Sequence, residues 1–117
     1  MDAKVMKEML EIKSGSFEHI AVCETLSAFD TLSFNPQYAL VIGANTNYYM
    51  FQTFLLKLGE TQYFPYITLS DRGTTLQSQG RASMTMSTNS ATGKAYLGFQ
   101  YAPPSGLQEA MRVIAFG

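Results

Sequence analysis

The sequence predicts an all-β fold, an antiparallel β-sandwich or jelly-roll-like domain with a short N-terminal helix. Two observations favour it. Short segments rich in aromatic and β-branched residues recur at roughly 8–12-residue spacing, and Gly, Pro, Asn or Asp turn signals separate them. At 117 residues the chain is also long enough to bury a core as one domain. We therefore expect an N-terminal helix or arm over residues 1–15 and a single β-sandwich domain over residues 16–117.

Apolar residues near the N-terminus recur at helical spacing. Val5, Met9 and Ile12 lie at positions i, i+4 and i+7, which places them on one face of a helix. Asp2 can serve as its N-cap and Gly15 can end it. This stripe would either cover one end of the core or dock on another chain, and the pattern favours neither.

The middle of the chain has the pattern of a β-hairpin. Two apolar runs, residues 38–42 and 48–58, flank a Gly/Asn loop over residues 43–47. Both faces of the second run are largely apolar, as in a strand that is covered on both sides. One face, with Tyr49, Phe51 and Leu55, would then meet the N-terminal helix or a neighbouring subunit.

The other segments give shorter strands and turns. A period-two pattern over residues 17–24 predicts a strand with Cys23 on one face and Val22 on the other. Further predicted strands cover residues 28–34 (strand or bend), 63–69, 74–77, 82–87, 94–101 and 111–116. Turns or breaks are predicted at residues 35–37, 71–73, 79–80, 88–93 and 102–106. Pro65 places its strand at a sheet edge or marks a bulge.

Composition argues against several classes of partner. The formal net charge of −1 and the scattered basic residues argue against nucleic-acid binding. The first residues lack the apolar region of a signal peptide, so none is expected. The uncharged stretch over residues 31–56 carries Asn35, Asn45 and Gln52 among other polar groups, which argues against membrane insertion. The single cysteine, Cys23, cannot form an intrachain disulfide.

No catalytic or metal-binding constellation stands out. His19 and Cys23 would share a strand face but lie about 13 Å apart at about 3.3 Å per residue, which is too far for a thiolate–imidazole pair. The acidic residues Asp30, Glu60 and Asp71 lie at turns without ligand spacing. We therefore expect a non-enzymatic protein with no cofactor and no metal.

The aromatic residues allow two interpretations. The chain has seven Tyr and eight Phe but no Trp. Most of these rings can fill the core, although tyrosines also suit protein interfaces and sugar stacking. The candidate ligand or receptor residues in this second interpretation lie in or beside loops: Asn45, Asn47, Tyr48, Tyr63 and Asn89.

Three stretches resemble one pattern. Residues 32–43 (LSFNPQYALVIG) are similar to the segment that opens small β-sandwich modules of bacteriophage tail fibres and related virion proteins. Residues 68–76 (TLSDRGTTL) resemble the Asp-Gly turn segment of that family, and residues 112–117 (RVIAFG) resemble its closing strand. The resemblance covers Leu32 to Gly117. It implies a virion structural component that is commonly trimeric and has neither cofactor nor catalytic residues.

The sequence therefore favours a virion protein that acts through self-assembly and attachment, as part of a tail fibre or tip or associated with the capsid, with receptor binding as a further expected role. Its expected partners are copies of itself, with a trimer favoured, other virion proteins and a cell-surface glycan. The expected assembly interface consists of Val5, Met9, Ile12, Tyr49, Phe51 and Leu55. The alternative is a carbohydrate-binding β-sandwich module.

Overall fold

The computed structural model describes residues 3–5, 17–43 and 48–117, and in these the chain is mostly β-structure in two antiparallel four-stranded sheets. Sheet A has the strand order β1-β8-β2-β4, and sheet B has the order β3-β5-β6-β7. The strands of sheet A are β1 (Ile20–Cys23), β2 (Tyr38–Ile42), β4 (Phe54–Lys57) and β8 (Arg112–Phe116). Those of sheet B are β3 (Tyr49–Phe51), β5 (Thr61–Ser70), β6 (Thr75–Thr88) and β7 (Ala95–Tyr101).

In sheet A the side chains point alternately to an inner and an outer face, as expected of paired strands, and both faces are largely apolar. One register row of its inner face consists of Ala21, Ala115, Ala39 and Leu56, and the next of Cys23, Val113, Val41 and Phe54. The outer face carries two further rows. These are Val22, Ile114, Leu40 and Leu55, and then Ile20, Phe116, Tyr38 and Lys57.

The core lies between the two sheets. Sheet B contributes Phe64, Met84 and Met86, all almost completely buried, to the cluster formed with the inner rows of sheet A. The rings of Phe54 and Phe64 stack at a centroid distance of 5.2 Å and join the sheets. Because the row across β1, β8 and β2 is made of alanines, the larger side chains of sheet B can fill the space between the layers. The predicted β-sandwich is confirmed at this level.

Two short helices close the ends of the sandwich. Helix α1 (Leu26–Phe29) begins at Thr25, whose hydroxyl accepts a hydrogen bond from the backbone N–H of Ala28 at 3.2 Å. Helix α2 (Ser105–Ala110) begins after Pro104 and buries Leu107. The prediction of a strand or bend over residues 28–34 is wrong for its first part, because a capped helical turn buries Phe29 there.

The predicted central hairpin is only partly correct. Strands β2 and β4 do pair antiparallel, with Tyr38 opposite Lys57. Residues 48–58 are not one strand, however, because the chain leaves the ladder at Gln52 and Thr53. Strand β3 therefore pairs with β5 in sheet B, whereas β4 belongs to sheet A. The expectation that Tyr49, Phe51 and Leu55 share one strand face is wrong for this reason.

Strand β6 is also longer than predicted. The expected break at residues 79–80 is wrong, since β6 runs without interruption through both. Gly80 pairs with Tyr66, whose ring occupies the space that a side chain at position 80 would need. The turn over residues 71–73 is confirmed, with Gly73 at φ 87°. Pro65 lies on β5 just beyond the three residues that pair with β3, where its missing N–H leaves no gap in that ladder.

Candidate functional site

The outer face of sheet B carries three exposed tyrosines and one arginine. Tyr63, Tyr96 and Tyr101 are 42%, 40% and 56% exposed, although each ring could contribute to a core. The strand register brings Tyr63 of β5 and Tyr101 of β7 to the two sides of Ser83 on β6. Arg81 lies one outward position away from Ser83 on β6. We call the surface formed by Tyr63, Arg81, Tyr96 and Tyr101 the tyrosine–arginine face.

A β-bulge directs Tyr101 to this face. In a regular strand, residues 96 and 101 would point to opposite sides because side chains alternate. The register between β6 and β7 shifts between Ser83 and Met84, which pair with Tyr101 and Phe99. The extra residue, Gln100, reverses the alternation, so Phe99 packs on the core and Tyr101 lies with Tyr96. The backbone N–H of Tyr101 donates to Ser83 Oγ at 3.2 Å.

Arg81 lies against Tyr63, and no acidic residue in the described part of the chain forms an ion pair with it. Its guanidinium carbon is 4.8 Å from the centroid of the Tyr63 ring, within the range of a cation–π contact. The Tyr63 and Tyr101 rings are 6.4 Å apart and tilted by 37°. Within the described part of the chain, the carboxylates beside a basic side chain are Glu60, next to Lys4, and Glu18, next to His19, so Arg81 has no carboxylate partner there. The face thus combines aromatic rings with an available positive charge.

Hydroxyl groups line the sheet between the two ends of this face. On the outward side of β6, Thr85 and Ser87 are half-buried and Ser83 is fully buried, and Thr85 Oγ1 lies 2.7 Å from Thr61 Oγ1 on β5. Tyr96 pairs with Ser87 at the far end, about 13 Å from Ser83 at about 3.3 Å per residue. Its ring lies 3.5 Å from the position that a Cβ on Gly98 would take, so it extends along the face.

The outer face of sheet A is covered over most of its width but is open at one edge. Its apolar rows are covered at β2, β4 and β8, where Val5 and Phe17 pack against a cluster that includes Leu55 and Phe116. The Phe17 ring meets the Tyr38 ring edge-on at 5.3 Å. At the edge strand β1 the same rows are open, since Ile20 is 62% and Val22 70% exposed. We call Ile20 and Val22 the β1 patch.

The predicted interface residues occupy different environments. Leu55 is 7% exposed because its own chain covers it. Phe51 packs on the main core, and the Tyr49 side chain lies against Gly106 of α2. Val5 contacts the Leu55 cluster, as a helix covering the domain would, and residues 3–5 are helical. Met9 and Ile12 lie outside the described residues. The apolar middle segment therefore owes its two-sided character mainly to contacts within one protomer.

The predicted ligand residues are also dispersed. The backbone C=O of Tyr48 accepts from the N–H of Leu69 at 2.6 Å, and Leu69 is about 20 Å along β5 from Tyr63 at about 3.3 Å per residue. Asn89 shapes its own loop, since its Oδ1 accepts from the N–H of Ala91 at 2.9 Å. Asn45 and Asn47 lie outside the described residues. Of this set, only Tyr63 belongs to the tyrosine–arginine face.

A polar surface pocket lies beside the β6–β7 loop. It has a volume of about 530 Å³ and is lined by Asp30, Asn89, Thr92, Lys94, Ala95 and Tyr96. Lys94 Nζ donates to the Leu32 C=O at 3.0 Å. Burial raises the pKa of the Asp30 carboxyl. Lys94 already bonds the Leu32 carbonyl and Asn89 bonds within its own loop, so this pocket offers fewer unengaged groups than the tyrosine–arginine face.

The residues considered for catalysis do not converge. Cys23 is in the core, where burial raises the pKa of its thiol, and His19 is exposed and stacks on Phe34 at 5.1 Å. No group of three or more His, Cys, Asp or Glu side chains that could hold a metal ion occurs among the described residues. In the same part of the chain, the helices are too short or too polar to span a bilayer.

No family model, curated protein or solved structure matches the chain.

The sequence placed Tyr63 among the candidate ligand residues but did not group it with Tyr96, Tyr101 or Arg81. Tyr96 and Tyr101 differ by an odd number of positions, so an uninterrupted strand would separate them. Arg81 follows Gly80, which favoured a strand break beside it. A signal was nevertheless present. Ser83, Thr85 and Ser87 alternate with Ala82, Met84 and Met86, which marks the polar side of a half-buried strand.

Proposed function

We propose that the chain is a non-enzymatic structural module that assembles with copies of itself and attaches to a larger particle. The resemblance over residues 32–117 favours a virion protein, from a tail fibre or tip or associated with the capsid, in a trimer. The pairing of β1 with β8, which joins the beginning and the end of the fold, supports a jelly-roll-like arrangement. Its location would be the virion, and other virion proteins would be its partners.

The observation that carries this proposal is the β1 patch. Ile20 and Val22 continue an apolar surface whose other members, Ile114 and Phe116 among them, are more covered. Glu18 and Glu24 flank the patch on the same strand face and are exposed. An apolar centre with a charged rim is the usual organisation of a protein interface. A second copy of the chain is the occupant that the resemblance to trimeric modules favours.

Size-exclusion chromatography with light scattering tests the assembly. We expect an oligomer at low micromolar concentration and a shift toward the monomer in Val22→Glu, because a carboxylate would be desolvated in the interface. Leu76→Glu is the matched control, since Leu76 is 56% exposed but lies on sheet B. A monomeric wild-type chain would contradict the proposal. An equal loss of assembly in both variants would contradict the assignment of the interface to the β1 patch.

The second candidate function is carbohydrate binding through the tyrosine–arginine face. It is favoured by the exposed rings of Tyr63, Tyr96 and Tyr101 on one side of sheet B, with hydroxyl groups between them. Flat apolar rings with polar tips can stack on sugar rings, and serine and threonine hydroxyls can bond sugar hydroxyls. This surface is on the opposite side of the sandwich from the β1 patch, so both functions can coexist in one particle.

A further inference from the structure

We infer that the tyrosine–arginine face recognises an acidic glycan, with Arg81 binding a sugar carboxylate beside the rings of Tyr63 and Tyr101. The inference rests on the second candidate function, carbohydrate binding, and names the class of ligand and the residue that selects it. It concerns the outer face of sheet B and is independent of assembly through the β1 patch.

The first argument is the charge of Arg81. A guanidinium favours a planar, two-oxygen partner, because its N–H groups match the two oxygens of a carboxylate. Among the described residues Arg81 has no ion-pair partner, and its guanidinium lies over the Tyr63 ring. Stacking on Tyr63 limits the conformations of the arginine side chain, so that less entropy is lost when an anion binds.

The second argument is the neighbourhood of Arg81. Tyr63 and Tyr101 present two tilted rings on the same face, and both are exposed. The outward positions Thr85 and Ser87 carry half-buried hydroxyls rather than charges, whereas Ser83 is fully buried. A ligand bound here must therefore offer a carboxylate together with faces that stack and hydroxyls that donate and accept. An acidic sugar has all three.

The third argument is the length of the face. Tyr96 lies on the same side, about 13 Å from the level of Tyr101 and Ser83. A row of hydroxyl groups connects the two ends without an intervening large side chain, because position 98 is glycine. This geometry fits an extended oligosaccharide with several sugar units better than a single small anion. A polyanion such as a nucleic acid would need more than the single cation, Arg81, that the face offers.

A glycan array of neutral, uronate-containing and sialylated oligosaccharides, with a polyglutamate peptide as a further probe, tests the inference. We expect binding only to glycans with carboxylates, and loss of binding when the carboxylates of the same glycan are methyl-esterified. Arg81→Gln should weaken binding about tenfold or more, since a hydrogen bond to a charged group contributes about 1.5–3 kcal/mol. Arg72→Gln, which removes an exposed arginine from the turn before β6, should have no effect.

The outcomes separate the inference from the function on which it rests. Equal binding of neutral and acidic glycans through Tyr63 and Tyr101 would overturn the role of Arg81 and leave carbohydrate binding in place. No binding to any glycan would overturn both. Tighter binding of polyglutamate than of every acidic glycan would show that the ligand class is an acidic peptide and overturn the assignment of an acidic glycan. Thermal unfolding of each variant, compared with the wild type, shows that a loss of binding is not a loss of fold.

Discussion

The ring of Tyr66 on β5 lies directly over Gly80 on β6. A Cβ placed on Gly80 would be 2.5 Å from the Tyr66 hydroxyl oxygen and 2.6 Å from the ring carbon that carries it. The two residues are paired in the register of sheet B, so the ring uses the space that the missing side chain leaves. This relationship explains why a glycine lies inside a long strand without ending it.

Gly80→Ala should therefore destabilise the protein by about 1–3 kcal/mol, because the new methyl group forces the Tyr66 ring out of its position. Urea unfolding measures the change. Gly98→Ala is the matched control, since its Cβ would meet the nearest atom of Tyr96 at an ordinary 3.5 Å. The cost of Gly80→Ala should largely disappear in a Tyr66→Ala background. An unchanged cost in that background would show that the ring is not its cause.

Two side-chain hydrogen bonds of Asn35 link the turn before β2 to the start of β7. Its Oδ1 accepts from the buried N–H of Ala95 at 2.8 Å, and its Nδ2 donates to the Gly93 C=O at 3.2 Å. We expect Asn35→Ala to cost about 1–3 kcal/mol in urea unfolding, because the Ala95 N–H loses its acceptor. Asn35→Asp keeps the acceptor and should cost less. The reverse order of the two variants would contradict this role.

Substitution of Leu55 distinguishes a residue that packs within the protomer from one that lies in an interface between protomers. Leu55→Ala should lower the free energy of unfolding by about 2 kcal/mol, because Val5, Phe17 and Phe116 lose a buried neighbour. It should leave the oligomeric mass unchanged. Leu76→Ala, at a largely exposed site, should change stability by less than about 0.5 kcal/mol. A lower oligomeric mass with unaltered stability would instead make Leu55 an interface residue.

Burial of Cys23 should make stability depend on pH in the alkaline range. The folded protein holds the thiol proton more tightly than the unfolded chain, since burial raises the pKa. The free energy of unfolding should therefore fall as pH rises above the ordinary thiol pKa, by at most about 1.4 kcal/mol per pH unit, until the folded-state pKa is reached. Cys23→Ala removes this contribution, so the difference in slope between variant and wild type measures it. Parallel slopes would contradict the prediction.

The periodicity of the sequence predicted most of the strands for a simple physical reason. In a segment such as residues 82–87, apolar side chains alternate with hydroxyl-bearing ones, and the pattern shows the strand directly. The division of residues 48–58 could not be predicted in this way, because both parts are apolar. Only the pairing of β3 with β5 and of β4 with β2 decides to which sheet each part belongs.

The candidate site was less accessible to sequence reasoning than the fold. The outward position of Tyr101 depends on the bulge at Gln100, and the continuity of β6 at Arg81 depends on the Tyr66 ring across the sheet. Both are effects of the pairing between neighbouring strands, which the pattern within a single strand does not show. Helix α2 was missed because residues 102–106 were interpreted only as a break, although a proline just before a helix also favours its first turn.

The described methionines differ sharply in solvent exposure. Met84, Met86 and Met111 are fully shielded, whereas Met50 on the edge strand β3 is 38% exposed. Peroxide should therefore convert Met50 to the sulfoxide before Met84, Met86 and Met111. It should reach these shielded thioethers only when the two sheets separate transiently. The ratio of the two oxidation rates, read by peptide mass spectrometry, would report how often the sandwich opens.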